Sequence, residues 1–107
     1  MNLRVLLSVR ADKEIDAAVA WFAARDREYA ERWHVGLTAA LATLGREPLR
    51  YPLSADLDLE FLGVREMPFG RARNVYRVLY RVEGDSVRVL TIRHVRRGPL
   101  DPTDLPV

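Results

Sequence analysis

The chain reads as an α+β domain with element order β-α-α-β-β-β, a helical hairpin on a mostly antiparallel four-stranded sheet. Three observations lead there: a short apolar run near the N-terminus, two successive stretches with apolar residues at helical spacing, and two alternating segments that meet at Gly84-Asp85. Strands gathered after the helices, rather than alternating with them, place the helices on one face of an antiparallel sheet.

The first element, "NLRVLLSV", is rich in Leu and Val and fits a buried strand over residues 2–9. Asp12 is placed to cap a helix, with Glu14 and Asp16 in the positive field of its first turn. Ile15, Ala18, Val19 and Phe22 recur at i, i+3, i+4 and i+7, an amphipathic pattern over 12–24. Asp26 offers a second cap, and Ala30, Trp33, Leu37, Ala40, Leu41 and Leu44 form another stripe that Gly45 and Pro48 bring to an end. The hairpin thus spans 12–46. Residues 47–60 carry two prolines and no sustained period, which predicts an ordered loop. A strand follows near Phe61–Met67, stopped by Pro68 and turned at Phe69-Gly70, with two more at 73–82 and 87–94. Gly98, Pro99, Pro102 and Pro106 break regularity, so a single domain occupies residues 1–97 and a tail residues 98–107.

At 107 residues the chain is one domain long and can close a single core. Its 49% apolar and 30% charged composition belongs to folded chains, not disordered ones. With no cysteine, a disulfide framework and a Cys-based metal site are both excluded, which suits a reducing cytoplasm. No run approaches the ~18 apolar residues of a membrane helix, and the N-terminus has no small-residue cleavage site, so a cytoplasmic protein without a membrane partner is expected. The net charge of +2 conceals an asymmetry: residues 62–97 carry +6, residues 1–61 carry −2 and the tail −2. Sixteen of the seventeen basic residues are arginine, whose planar fork holds phosphates and carboxylates bidentately.

Many of these arginines fall in "YRVLYRVEGDSVRVLTIRHVRR", residues 76–97. If Gly84-Asp85 is a two-residue turn, Val82 faces Val87, Tyr80 faces Val89 and Val78 faces Thr91. Alternation then puts Tyr76, Val78, Tyr80, Val82, Val87 and Val89 on a core face. Arg77, Leu79, Arg81, Arg88, Leu90, Ile92 and His94 share the other face, half-covered and basic. In this register Arg81 opposes Arg88, a like-charge pair that holds if the guanidiniums splay into water or an anion sits between them. Arginines on a sheet face are also commonly just solvated. The set as a whole, Arg71, Arg73, Arg81, Arg88, Arg93 and Arg96 around Arg77, His94 and Arg97, points to a surface that binds an anionic partner.

The segment "VREMPFGRARNVYRVLYRVEGDSVRVLTIRHVRR" at 64–97, above all "YRVLYRV", the short acidic turn and "RHVRR", resembles the RelE/ParE superfamily of bacterial toxins. The N-terminal strand and hairpin, with "AWFAARDREYAERW" leading into the second helix, fit the same family. The resemblance implies a β-α-α-β-β-β toxin of a type II toxin–antitoxin pair, bound in a hetero-oligomer by the C-terminal segment of its cognate antitoxin. It implies one of two activities, neither needing a metal or other cofactor. RelE-like members cut mRNA on the ribosome, for which Arg77 and Arg97 would be the counterparts, with His94 as a candidate catalytic acid or base; ParE-like members inhibit DNA gyrase. The paired lysines of many such nucleases are replaced here by Pro68 and Gly70, Lys13 is the only lysine, and Gly98-Pro99 stand where a terminal aromatic is used. Those departures favour the ParE-like branch, with a degenerate toxin that only binds antitoxin as a further alternative. Arg77→Ala and Arg97→Ala are both expected to leave the fold intact.

Other residues suggest less. His94 could act as acid or base, but a lone histidine at a strand end is more often structural. Tyr76 and Tyr80 belong to the core. Asp56, Asp58 and Glu60 in "ADLDLE" would share a face if extended, yet nothing matches a calcium loop, and pairing with nearby arginines is the simpler use. His34 reads as a surface residue. Trp21 and Trp33 read as core or hairpin contacts, and an exposed Trp21 would point to a partner.

Overall fold

In the computed structural model, which describes residues 2–56, 59–60 and 62–97, the polypeptide begins with strand β1 (Arg4–Leu7) and helices α1 (Val9–Ala23) and α2 (Arg27–Arg46). Strands β2 (Arg65–Arg71), β3 (Asn74–Glu83) and β4 (Ser86–His94) follow, and a 3-10 turn over Val95–Arg97 closes the described chain. Residues 98–107, the expected tail, lie outside the described residues. The sheet order is β1-β4-β3-β2, with β1 parallel to β4 and the other neighbours antiparallel. This is the α+β arrangement expected from the sequence.

The first helix starts four residues earlier than a cap at Asp12 suggests. Ser8 is its cap: the hydroxyl accepts from the Ala11 N–H at 3.0 Å and donates to the Leu90 carbonyl at 2.7 Å. One buried side chain thereby ends β1, starts α1 and ties both to β4. Asp12 instead lies in the first turn, where its charge meets the helix dipole. Asp26 caps α2 as expected, accepting from the Tyr29 N–H at 3.1 Å. Gly45 does not terminate α2, which runs on to Arg46. Its role is closeness: a Cβ there would stand 2.5 Å from the Leu3 carbonyl oxygen, and its own carbonyl accepts the Leu3 N–H at 2.8 Å.

Pro68 does not stop the second predicted strand either. The strand begins at Arg65, not Phe61, and continues through Pro68 and Phe69 to Arg71, so the expected turn at Phe69-Gly70 is displaced to Ala72-Arg73. Proline is tolerated because β2 is an edge strand. The Glu66 N–H points away from β3 to the Pro52 carbonyl at 3.1 Å, and alternation puts the missing donor of Pro68 on that same outer edge. Gly70 has φ +105°, and a side chain there would collide with the Asn74 carbonyl, while Ala72 adopts φ +58°.

The β3–β4 hairpin follows the predicted register from its turn as far as Tyr80, with Val82 opposite Val87, Arg81 opposite Arg88 and Tyr80 opposite Val89. A bulge between Leu79 and Tyr80 then shifts the pairing, so Leu79 faces Thr91 and Val78 faces Ile92, not Thr91. Ile92 accordingly joins the main core with Val78, Tyr80, Val87 and Val89, beneath Ile15, Phe22, Trp33, Leu37 and Leu44 of the helices. His94 moves with it and faces Tyr76, while Arg93 comes opposite Arg77. The bulge lies beyond the end of β1, and Glu14 of α1 covers the strand there. Its Oε1 accepts from the Ile92 N–H at 3.0 Å and the Thr91 hydroxyl at 2.6 Å. On the opposite face, in the segment between α2 and β2, Leu59 and Val64 bury Leu79 and Leu90 in a second small core. The Tyr80 hydroxyl anchors the start of this segment by donating to the Pro48 carbonyl at 2.8 Å.

Candidate functional site

The arginines of the hairpin divide into two groups. Arg77 sits centrally on β3, opposite Pro68 on one side and Arg93 on the other. Its guanidinium donates from Nη2 to Asp56 Oδ2 at 2.9 Å and to Glu66 Oε1 at 2.8 Å, and its side chain is only 12% exposed. The hydrogen bond to Glu66 raises its pKa above the ordinary arginine value; burial pulls the other way, and Asp56 adds to the rise. The simpler use foreseen for the acidic stretch is therefore realised at Asp56, while Asp58 lies outside the described residues. Charge-assisted hydrogen bonds in so sheltered a place clamp Asp56 and β2 onto β3. Against the expectation that Arg77 is dispensable for folding, this geometry gives it a structural role.

Arg81 is held in a comparable but wetter way. Its Nε and Nη2 donate to Glu83 Oε2 at 3.1 and 2.9 Å, two residues along the same face of the strand. This internal carboxylate answers the question posed by the Arg81–Arg88 opposition, and Arg88 points into solvent. The Arg81–Glu83 pair is more than one-third exposed, and such a pair contributes little to stability. Arg93 is half-buried opposite Arg77.

The second group gathers at the far end of the hairpin around His94. Its Nε2 lies 2.9 Å from the Arg73 carbonyl, and its Nδ1 lies 3.1 Å from the Arg96 amide nitrogen. A carbonyl only accepts and an amide N–H only donates, so the two contacts select the neutral Nε2–H tautomer. The imidazole thus fastens the β2–β3 turn to the 3-10 turn after β4, and stands edge-on to Tyr76 with centroids 5.1 Å apart. Arg73 and Arg96 are exposed, and among the described residues no carboxylate pairs with either. Arg71, just before the turn, is likewise exposed. The bend after His94 on which an Arg77–Arg97 site depends is present as the 3-10 turn, but the Arg97 side chain lies outside the described residues.

Tyr76, assigned to the core from alternation, is only partly buried and forms the rim between that core and the His94 end. Its phenol titrates above the ordinary value, chiefly through burial and secondarily through Tyr29. Behind it runs a chain of rings: Phe22 and Trp33 lie 6.4 and 5.3 Å from Tyr76, and Trp33 lies 5.9 Å from Phe69. Trp21, flagged from sequence as informative if exposed, is 52% exposed, with the Arg25 guanidinium carbon 3.6 Å from its ring centroid. Neither Asn74, at the start of β3, nor the approach of Trp21 to the end of β4 carries a sequence signal, because their proximity arises only when the helical hairpin docks on the sheet.

Comparison with known proteins agrees with this architecture. The family model described as the ParE toxin of type II toxin–antitoxin system, parDE, matches residues 5–99. Toxin RelE1 of Caulobacter vibrioides is 35% identical over 94 residues, which span 88% of this chain and 95% of that protein. The solved chromosomal ParDE system from P. aeruginosa contains a chain with the same fold, at a TM-score of 0.71 and 18% identity, over 87% of this chain and 96% of that one.

Proposed function

The chain belongs to the ParE toxin family of type II toxin–antitoxin systems, within the RelE/ParE superfamily, and we propose that it arrests growth by binding and inhibiting DNA gyrase in the cytoplasm, without cleaving RNA. The observation that carries this reading is the occupied state of Arg77 and His94, two of the three residues on which the nuclease reading rests. Metal-free cleavage of RNA requires a base for the 2′-hydroxyl, a cation for the phosphorane and an acid for the leaving oxygen. Arg77 is held by Asp56 and Glu66, and both ring nitrogens of His94 are hydrogen-bonded to backbone. Neither is free to meet a phosphate or move a proton in this arrangement. The exposed arginines Arg71, Arg73, Arg88 and Arg96 retain their charge for a partner, and the acidic residues of a cognate antitoxin segment are their natural complement in the inhibited hetero-oligomer.

The name of the RelE1 relative favours a second reading, ribosome-dependent cleavage of mRNA. Two assays on purified protein separate them. Loss of supercoiling by gyrase, relieved by antitoxin, is the expected result. Codon-positioned cleavage of mRNA on translating ribosomes, with supercoiling unaffected, would overturn the proposal.

A further inference from the structure

A hollow of about 400 Å³ opens where α1 meets the His94 end of the sheet, bounded by Trp21, Arg73, Asn74, Tyr76, His94 and Arg96. Its volume falls within the ~300–1,000 Å³ of small-molecule sites. The wall is of two kinds. Trp21, Tyr76 and His94 offer ring surface, while Arg73 and Arg96 bring cationic forks that no described carboxylate engages. No acidic residue lines the hollow among the described residues; Glu14 belongs to the adjoining recess on the other side of Tyr76 and His94.

The site is built, not incidental. The His94 imidazole holds the backbone of Arg73 and of Arg96 at once, so the two guanidiniums spring from segments fastened to a common ring. Arg25 lies over one face of Trp21, and Phe22 meets that indole edge-on at 5.3 Å, which fixes the platform on the α1 side. Ring surface, paired guanidiniums and one amide able both to donate and to accept suit a planar heterocycle joined to a phosphate better than a lone carboxylate.

We propose that this hollow binds a nucleoside phosphate, the base against Trp21 and Tyr76, its edge read by Asn74, and the phosphate between Arg73 and Arg96. The assignment is independent of the toxin's target. Arg73 and Arg96 come from the exposed set available to an antitoxin, so antitoxin binding and nucleotide binding compete.

Calorimetric titration of the full chain with AMP, UMP, inorganic phosphate and short single-stranded RNA and DNA pentamers tests it. A mononucleotide should bind saturably and at least about tenfold tighter than inorganic phosphate. Trp21→Ala and Arg96→Ala, both at exposed positions, should each weaken binding by about tenfold, with far-UV circular dichroism unchanged. Arg46→Ala, at the C-terminal end of α2, should leave it unaltered. Binding of the pentamers but not of mononucleotides, with the same dependence on Trp21 and Arg96, assigns the ligand to a nucleic-acid strand and supports the site. Nucleotides no better than inorganic phosphate, or an equal loss with Arg46→Ala, would reduce the hollow to diffuse positive charge and overturn it. So would an acidic peptide that binds through Trp21 and Arg96 where nucleotides do not.

Discussion

Replacing Arg77 by alanine is expected to destabilise the fold, and the magnitude follows from its two carboxylates. Hydrogen bonds to charged groups contribute about 1.5–3 kcal/mol each, and removing one partner of a fully buried ion pair costs about 3–5 kcal/mol. The side chains of Asp56 and Glu66 are 17% and 27% exposed, so water can partly replace the lost guanidinium. The two losses therefore do not add, and a net cost of about 2–4 kcal/mol is expected, including contacts of the aliphatic stem. For a chain of this length each kcal/mol lowers the thermal midpoint by roughly 4–8 °C, so a fall of roughly 8–30 °C should be seen by circular dichroism. Arg77→Lys should fall between, because an ammonium keeps the charge and loses the fork. A double-mutant cycle with Glu66→Gln should return a coupling of about 1 kcal/mol or more. If Arg77→Ala unfolds within about 0.5 kcal/mol of the parent, the clamp is not structural and the reasoning fails.

Further expectations concern other parts of the fold. Ser8→Ala should cost about 1–2 kcal/mol in urea unfolding, because the hydroxyl both caps α1 and satisfies the Leu90 carbonyl; an unchanged midpoint would mean that water replaces it. Ala72→Gly should stabilise by about 0.5–1 kcal/mol, since φ +58° is strained for a side-chain-bearing residue. A loss of stability would show that the Ala72 methyl group matters more than its backbone. The phenols of Tyr76 and Tyr80 titrate above their ordinary value of 10.0, in both cases mainly through burial. Their contribution is complete below pH 10 and declines as pH rises from there through the folded-state values, because the unfolded chain releases those protons first. Denaturation across that range should show the decline, and Tyr80→Phe should make it shallower. His94→Ala should leave the helical signal intact and increase amide exchange in the Ala72–Asn74 and Val95–Arg97 turns, which the imidazole joins.

The element order was legible because each element carries a local pattern: two helical stripes, a cap at Asp26, and strict alternation on either side of Gly84-Asp85. Legibility failed where the outcome depends on a neighbour distant in sequence. Pro68 reads as a breaker until its outward-facing backbone is known to lie on an edge. Gly45 reads as a terminator until Leu3 is seen against it. The bulge has no glycine to announce it, and it alone regroups Ile92, Arg93 and His94. The same limit governed the site. Arg77 was found by its place in "YRVLY", but its carboxylates stand 11 and 21 residues away, on β2 and in the preceding segment. Trp21 and Asn74 belong to elements with no sequence relation to each other, and only the tertiary fold puts them in one hollow.

The Pro52–Ser54 segment and Pro68 together give the sheet a direction of growth. Backbone donors on the outer side of β2 fall at residues 66, 68 and 70; the first is taken by the Pro52 carbonyl and the second does not exist. Across the sheet, β1 offers an outer edge only four residues long. A ladder that is extended less readily at one margin than at the other propagates poorly head to tail. Strand addition between copies is thereby disfavoured at β2 and left to the short outer edge of β1, where pairing of β1 with β1 joins two molecules.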